Sequence, residues 1–99
     1  MNRIVIATAA IFLTTPLAMA GPVDNACIRS ERGAGQQALC RCVQQVADQT
    51  LSRSDQRLAA SFFRDPHRAQ VVRMSKRDSD NAFWSRYKRF AGAAEAYCR

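Results

Sequence analysis

The side chains best suited to chemistry in this chain are four cysteines, Cys27, Cys40, Cys42 and Cys98, and one histidine, His67. Cys40 and Cys42 stand one residue apart in "ALCRCVQQVADQTL". Thiols so placed are open to three uses: a redox dithiol, a metal site, or structural disulfides. Zinc takes Cys-x₂₋₄-Cys with a second close pair, and here the other two cysteines are single and distant. Haem attachment needs Cys-x-x-Cys-His, and the usual redox motif is Cys-x-x-Cys beside a βαβ pattern; neither occurs. His67 follows Asp65-Pro66, with no sequence partner to position it as a base. There is no Gly-x-Ser-x-Gly, no phosphate loop and no paired-carboxylate signature. The expectation is a non-enzymatic protein with no catalytic, metal-binding or cofactor-binding residue, in which all four cysteines form disulfides.

Disulfides need an oxidising compartment, and the first twenty residues read as the address. Arg3 supplies a positive start, "IVIATAAIFLTTPLA" is an uncharged apolar run, and Ala18-Met19-Ala20 has the small-x-small form of a cleavage site. The run falls short of the roughly 18–20 residues of a spanning helix, and Cys27 lacks the small-apolar box that lipidation needs. Residues 1–20 are therefore expected to be a signal peptide cleaved after Ala20, leaving residues 21–99 as one periplasmic or secreted domain with no spanning segment. A domain this short buries only about 60% of its unfolded surface and is marginal on core packing alone.

The elements that must hold the cysteines are helical. A short helix in "VDNACIRSE", capped by Asp24 or Asn25, is stopped by Gly33 and Gly35. A second runs from about 36 to 50, and a third starts at Ser52 or Ser54 and carries Leu58, Ala59, Phe62 and Phe63 at helical spacing. A fourth opens with Asp65 as cap and Pro66 at the first helical position, and turns Ala69, Val72 and Met74 inward. The last, about 80 to 97, is capped from Asp78, Ser79 or Asp80 and gathers Phe83, Tyr87, Phe90, Ala91, Ala94, Tyr97 and Cys98 on one side. No stretch alternates long enough for a strand. The predicted fold class is all-α: a small four- to five-helix domain stapled by two disulfides.

Residues two apart on a helix point nearly opposite ways, so Cys40 and Cys42 cannot bond to each other. With Leu39 at 0°, Val43, Val46, Ala47 and Thr50 fall at about 40°, 340°, 80° and 20°, while Cys40 and Cys42 fall at about 100° and 300°. The two sulfurs border the apolar stripe from opposite edges, as if the helix were clamped to Cys27 on one side and Cys98 on the other. Two pairings remain, 27–40 with 42–98, or 27–42 with 40–98. By chain entropy, closing a loop of about 14 residues contributes roughly 3 kcal/mol and one of about 58 roughly 4 kcal/mol.

The net charge is +7; without Arg3 it is +6, from 14 basic and 8 acidic side chains, and 13 of the 15 basic residues are arginine. Arginine grips phosphate or carboxylate through two parallel hydrogen bonds. The densest basic tract is Arg64, Arg68, Arg73, Lys76 and Arg77. An exported basic protein meets anionic envelope components or acidic proteins, and export removes it from nucleic acid. The plainer use of such charge is a solvated face that keeps a small protein soluble. In "FWSRYKRF", Phe83, Tyr87 and Phe90 are needed for the core, and Trp84, at the stripe's edge, is the best candidate for a partly exposed contact.

"CRCVQQVADQTLSRSDQRLAASFFRDPHRAQ" followed by "FWSRYKRFAGAAEAYC" resembles a group of short exported alphaproteobacterial proteins. The shared features are the signal peptide, the Cys-x-Cys helix, the "LS..D" and "DP" helix starts, and the terminal "YC". Some members carry the label "arginine transporter"; the label implies at most an accessory to uptake, since a transporter needs several spanning helices and a solute-binding protein two sizeable lobes. The residues favour a binding protein for an anionic envelope component or an acidic protein. A stress chaperone is the alternative: protonating eight carboxylates drives +6 towards about +14, with His67 adding one more. A redox enzyme would show free thiols or a Cys40–Cys42 bond.

Overall fold

The computed structural model describes residues 21–99. The proposed signal peptide and its cleavage site lie outside the described residues, apart from Gly21 on the downstream side. Five helices follow one another: α1 (Pro22–Arg29), α2 (Gln37–Thr50), α3 (Arg53–Arg64), α4 (Pro66–Arg73) and α5 (Asp78–Tyr97). No strand occurs among the described residues. Helix α1 packs on α2 and α3, and α5 packs on α2, α3 and α4. They enclose one core built on Val23, Val46, Ala47, Leu51, Ala59, Phe62, Val72, Phe83 and Phe90.

The helix starts follow local chemistry, with three departures from expectation. Ser52 caps α3, its hydroxyl accepting the Asp55 N–H at 3.2 Å. Helix α1 begins earlier than predicted: Gly21 occupies the cap position and Pro22 the first turn, so Asp24 lies inside the helix. Its free amides are taken by another helix instead. The Gln44 side-chain oxygen on α2 accepts from the N–H groups of Val23 and Asp24, both at 2.9 Å. Asp65 precedes Pro66 but makes no side-chain cap bond. Likewise Asp78 and Asp80 lie in the first turn of α5 after Arg77 and act there as negative charges beside the helix's positive end.

Both disulfides form in the first of the two expected pairings, Cys27–Cys40 and Cys42–Cys98, each with its Cα atoms 5.6 Å apart. The geometry differs from a symmetrical clamp. On α2 the buried residues are Cys40, Gln44, Val46 and Ala47, whereas Leu39, Val43 and Thr50 are half-buried. The buried face is thus rotated towards Gln44, at about 140° on the wheel above. Cys40 sits well within it at 0% exposure and Cys42 lies on its margin. Gln44 draws that side inward by satisfying the amides of α1. Two further placements are corrected: Met74, expected inside, is 78% exposed, and Tyr97, expected on the apolar face of α5, is 79% exposed. Met74 follows the last turn of α4, and Tyr97 is the last residue of α5, beside Cys98, which turns inward to the core.

No helix among the described residues is long and apolar enough to cross a membrane. With two disulfides, this is consistent with an extracellular or periplasmic location.

Candidate functional site

Helix α1 stops after Arg29, where Ser30 turns to extended backbone. The Ser30 hydroxyl donates to the Cys27 carbonyl at 2.6 Å and accepts the Gly33 N–H at 3.1 Å. Gly33 is obligatory in this turn: a Cβ there would overlap the Cys27 carbonyl and press on the Cys40 sulfur. Gly35 takes a φ of +77°, which glycine reaches without strain. The turn so fixed carries Glu31 and Arg32 to the mouth of a cleft. Opposite, α3 ends at Arg64 because Pro66 restricts the residue before it and cannot continue the hydrogen-bonded ladder. Phe62, Phe63 and Arg64 of that last turn, with Pro66, form the second wall, and Tyr87 of α5 closes the floor.

The cleft is about 760 Å³. Its apolar floor is Ala26, Phe62, Phe63 and Tyr87, and its rim carries Arg29, Arg32 and Arg64 against one acid, Glu31. A smaller cavity of about 350 Å³ adjoins it, sharing Ala26, Arg29 and Arg64 and adding Arg57. Arg29, Arg32, Arg57 and Arg64 are exposed. Among the described residues the one ion pair is elsewhere: Arg86 donates to Asp55 through Nε at 2.6 Å and Nη2 at 3.1 Å. That hydrogen bond raises the Arg86 pKa against a smaller opposing effect of burial. Arg86 is thereby committed to the fold, with Asp55 buried beneath it, whereas the four cleft guanidiniums face solvent without a carboxylate partner.

The floor is held from below by an aromatic cluster. Phe62 meets Tyr87 edge-on at 5.2 Å and Phe83 at 5.9 Å, and Trp84 lies 5.0 Å from Tyr87. Burial pushes the Tyr87 phenol above its ordinary value of 10.0. The folded state therefore holds this proton more tightly than the unfolded chain. The associated stability is complete below pH 10 and disappears as pH rises through the raised folded value. Tyr87→Phe is expected to lose less melting temperature than the native protein between pH 9 and pH 11, measured by helical circular dichroism. Equal losses in the two proteins would contradict a buried phenol.

The residues singled out in the sequence divide between places. Arg64 lines both cavities. Arg68, Arg73, Lys76 and Arg77 are exposed along α4 and the segment after it, with no acidic residue between Asp65 and Asp78. That tract also exposes Val71, at 57%, and Met74. Trp84 is half-buried, with its ring against Phe62 and Tyr87. His67 is exposed. The cleft arginines Arg29, Arg32 and Arg57 do not stand out in the sequence; the one available signal is the seven-residue step from Arg57 to Arg64, which share a face of α3, whereas Arg32 lies in the turn after α1. Among the described residues no group of three or more His, Cys, Asp or Glu side chains is placed to hold a metal ion, and no cysteine is free.

Fold and site together define a class: a five-helix, doubly disulfide-bridged domain with a basic segment on one side and an arginine-rimmed cleft. Comparison with known proteins adds no closer assignment, because no family model, curated protein or solved structure matches the chain.

Proposed function

We propose that this is a small exported binding protein that engages an anionic surface of the cell envelope through α4 and the residues after it. One observation carries the reading. From Pro66 to Arg77 the chain has Arg68, Arg73, Lys76 and Arg77 exposed and no acid, and the same stretch leaves Val71 and Met74 outside the core. Charge attracts such a segment to anionic head groups at about 1 kcal/mol per basic residue near the surface, and the two apolar side chains have a place to go once it arrives. Guanidinium forks suit phosphate better than ammonium does. An accessory role in arginine uptake draws no support from the site, since a cationic ligand would meet like charge at both basic surfaces.

The experiment is co-sedimentation of the protein with vesicles of phosphatidylglycerol mixed into phosphatidylcholine, across a salt series. Binding is expected at low ionic strength, to fade steeply as the Debye length shrinks, and to be absent on phosphatidylcholine alone. Replacing Arg68, Arg73, Lys76 and Arg77 with glutamine should weaken it about tenfold or more. Salt-insensitive binding, or none at low salt, removes this function; salt-sensitive retention on immobilised polyglutamate alone would shift the partner to an acidic protein.

A further inference from the structure

We infer that the cleft between α1 and α3 is a second binding site, for a single-chain anionic amphiphile: a carboxylate or phosphate head on an apolar body. It uses none of the four basic side chains Arg68, Arg73, Lys76 and Arg77 of the α4 tract. Its two halves call for two chemistries in one ligand. Arg29 and Arg64 line both the larger and the smaller cavity, so they stand at the junction between them. Both are exposed, and neither guanidinium makes a hydrogen bond or ion pair among the described residues. An anionic head lodged at the junction receives two guanidinium forks, with Arg32 and Arg57 on either side. The apolar body then lies on Phe62, Phe63 and Tyr87 in the larger cavity.

The dimensions fit one small molecule, since about 760 Å³ lies within the range of roughly 300–1,000 Å³ for ligand pockets. An extended peptide suits the site less well. No strand occurs among the described residues, so no open sheet edge is offered to pair with a peptide main chain. A neutral amphiphile would cover the floor and leave the arginines unanswered. An inorganic anion would answer the arginines and leave the floor wet.

The test is calorimetric titration of the protein with dodecanoate, dodecyl phosphate and dodecyl maltoside, each below its micelle concentration, with Trp84 emission followed in parallel. Saturable one-to-one binding of dodecanoate or dodecyl phosphate is expected, and the stronger of the two identifies the head group. Dodecyl maltoside, with the same chain and no charge, should bind at least tenfold more weakly. The double variant Arg29→Gln/Arg64→Gln removes two charge-assisted contacts and should lose about tenfold or more in affinity, with its helical circular dichroism intact because neither side chain is committed to the fold. The fourfold glutamine variant of the α4 tract should bind these ligands as the native protein does. The inference is overturned if neither anion saturates, if the maltoside binds as well as the anions, if the double variant keeps full affinity, or if the α4 variant loses it. The last outcome would assign the binding to the basic segment, and vesicle binding without amphiphile binding would leave the proposed function standing alone.

Discussion

Under graded reduction the Cys42–Cys98 bond is expected to open first, leaving a species that is still helical, and the fold is expected to collapse only when Cys27–Cys40 follows. Accessibility sets the order. Cys42 and Cys98 are half-buried on the margin of α2 and at the end of α5, whereas Cys27 and Cys40 are 5% and 0% exposed, under the turn containing Gly33. The bonds span 56 and 13 residues of sequence, and the chain-entropy account assigns them about 4 and about 3 kcal/mol respectively. A small domain has only about 5–15 kcal/mol in total, so each bond is a large fraction of it. Replacing Cys42 and Cys98 together with alanine should lower the unfolding free energy by about 4 kcal/mol. Mass spectrometry of alkylated intermediates gives the order, and chemical denaturation gives the magnitude. An unchanged melting temperature in excess reductant would refute the assignment of stability to these bonds, and early labelling of Cys27 and Cys40 would refute the order.

Gln44→Leu is the other large effect, expected at about 3 kcal/mol or more although it places an apolar residue of similar size in the core. Gln44 is 7% exposed and has every polar position occupied. Its oxygen accepts the amides of Val23 and Asp24, and its nitrogen donates to Asp48 Oδ1 and Gln56 Oε1, both at 2.8 Å. Gln56 in turn donates to Asp48 and to the Leu51 carbonyl, each at 3.2 Å. Leucine leaves the Val23 amide and the Gln56 oxygen without partners, and each buried unsatisfied group costs about 1–3 kcal/mol. Amide hydrogen exchange at Val23 and Asp24 should quicken in the variant. Unchanged exchange together with a loss under 1 kcal/mol would show that the network is dispensable.

This network marks where the sequence stopped being legible. The helices were readable because apolar residues recur at 3.6-residue spacing, and the exclusion of Cys40–Cys42 followed from helix geometry alone. The pairing was not readable, because both sulfurs bordered the apolar stripe and nothing in composition says which neighbour lies on which side. Gln44 hid that answer: a glutamine in a helix reads as solvent-facing, and only the position of α1 shows that its amide is a cap. Asp55 was similarly disguised as an ordinary first-turn acid until α5 brought Arg86 across 31 residues to meet it. The basic tract of α4 is contiguous and was therefore visible, whereas the cleft assembles arginines from α1, the turn after it and α3, which are adjacent only after folding.

The separations between bonded cysteines also have a consequence in time. If the chain is exported as proposed, amino end first, it presents Cys27, Cys40 and Cys42 well before Cys98 arrives. Cys42 thus waits as a lone thiol, and Cys27 has two candidate partners in reach. Because the bonds join cysteines consecutive in the sequence, Cys27 can close on Cys40 before Cys98 is present, and the one early error open to the chain is Cys27–Cys42, which thiol–disulfide exchange with Cys40 reverses.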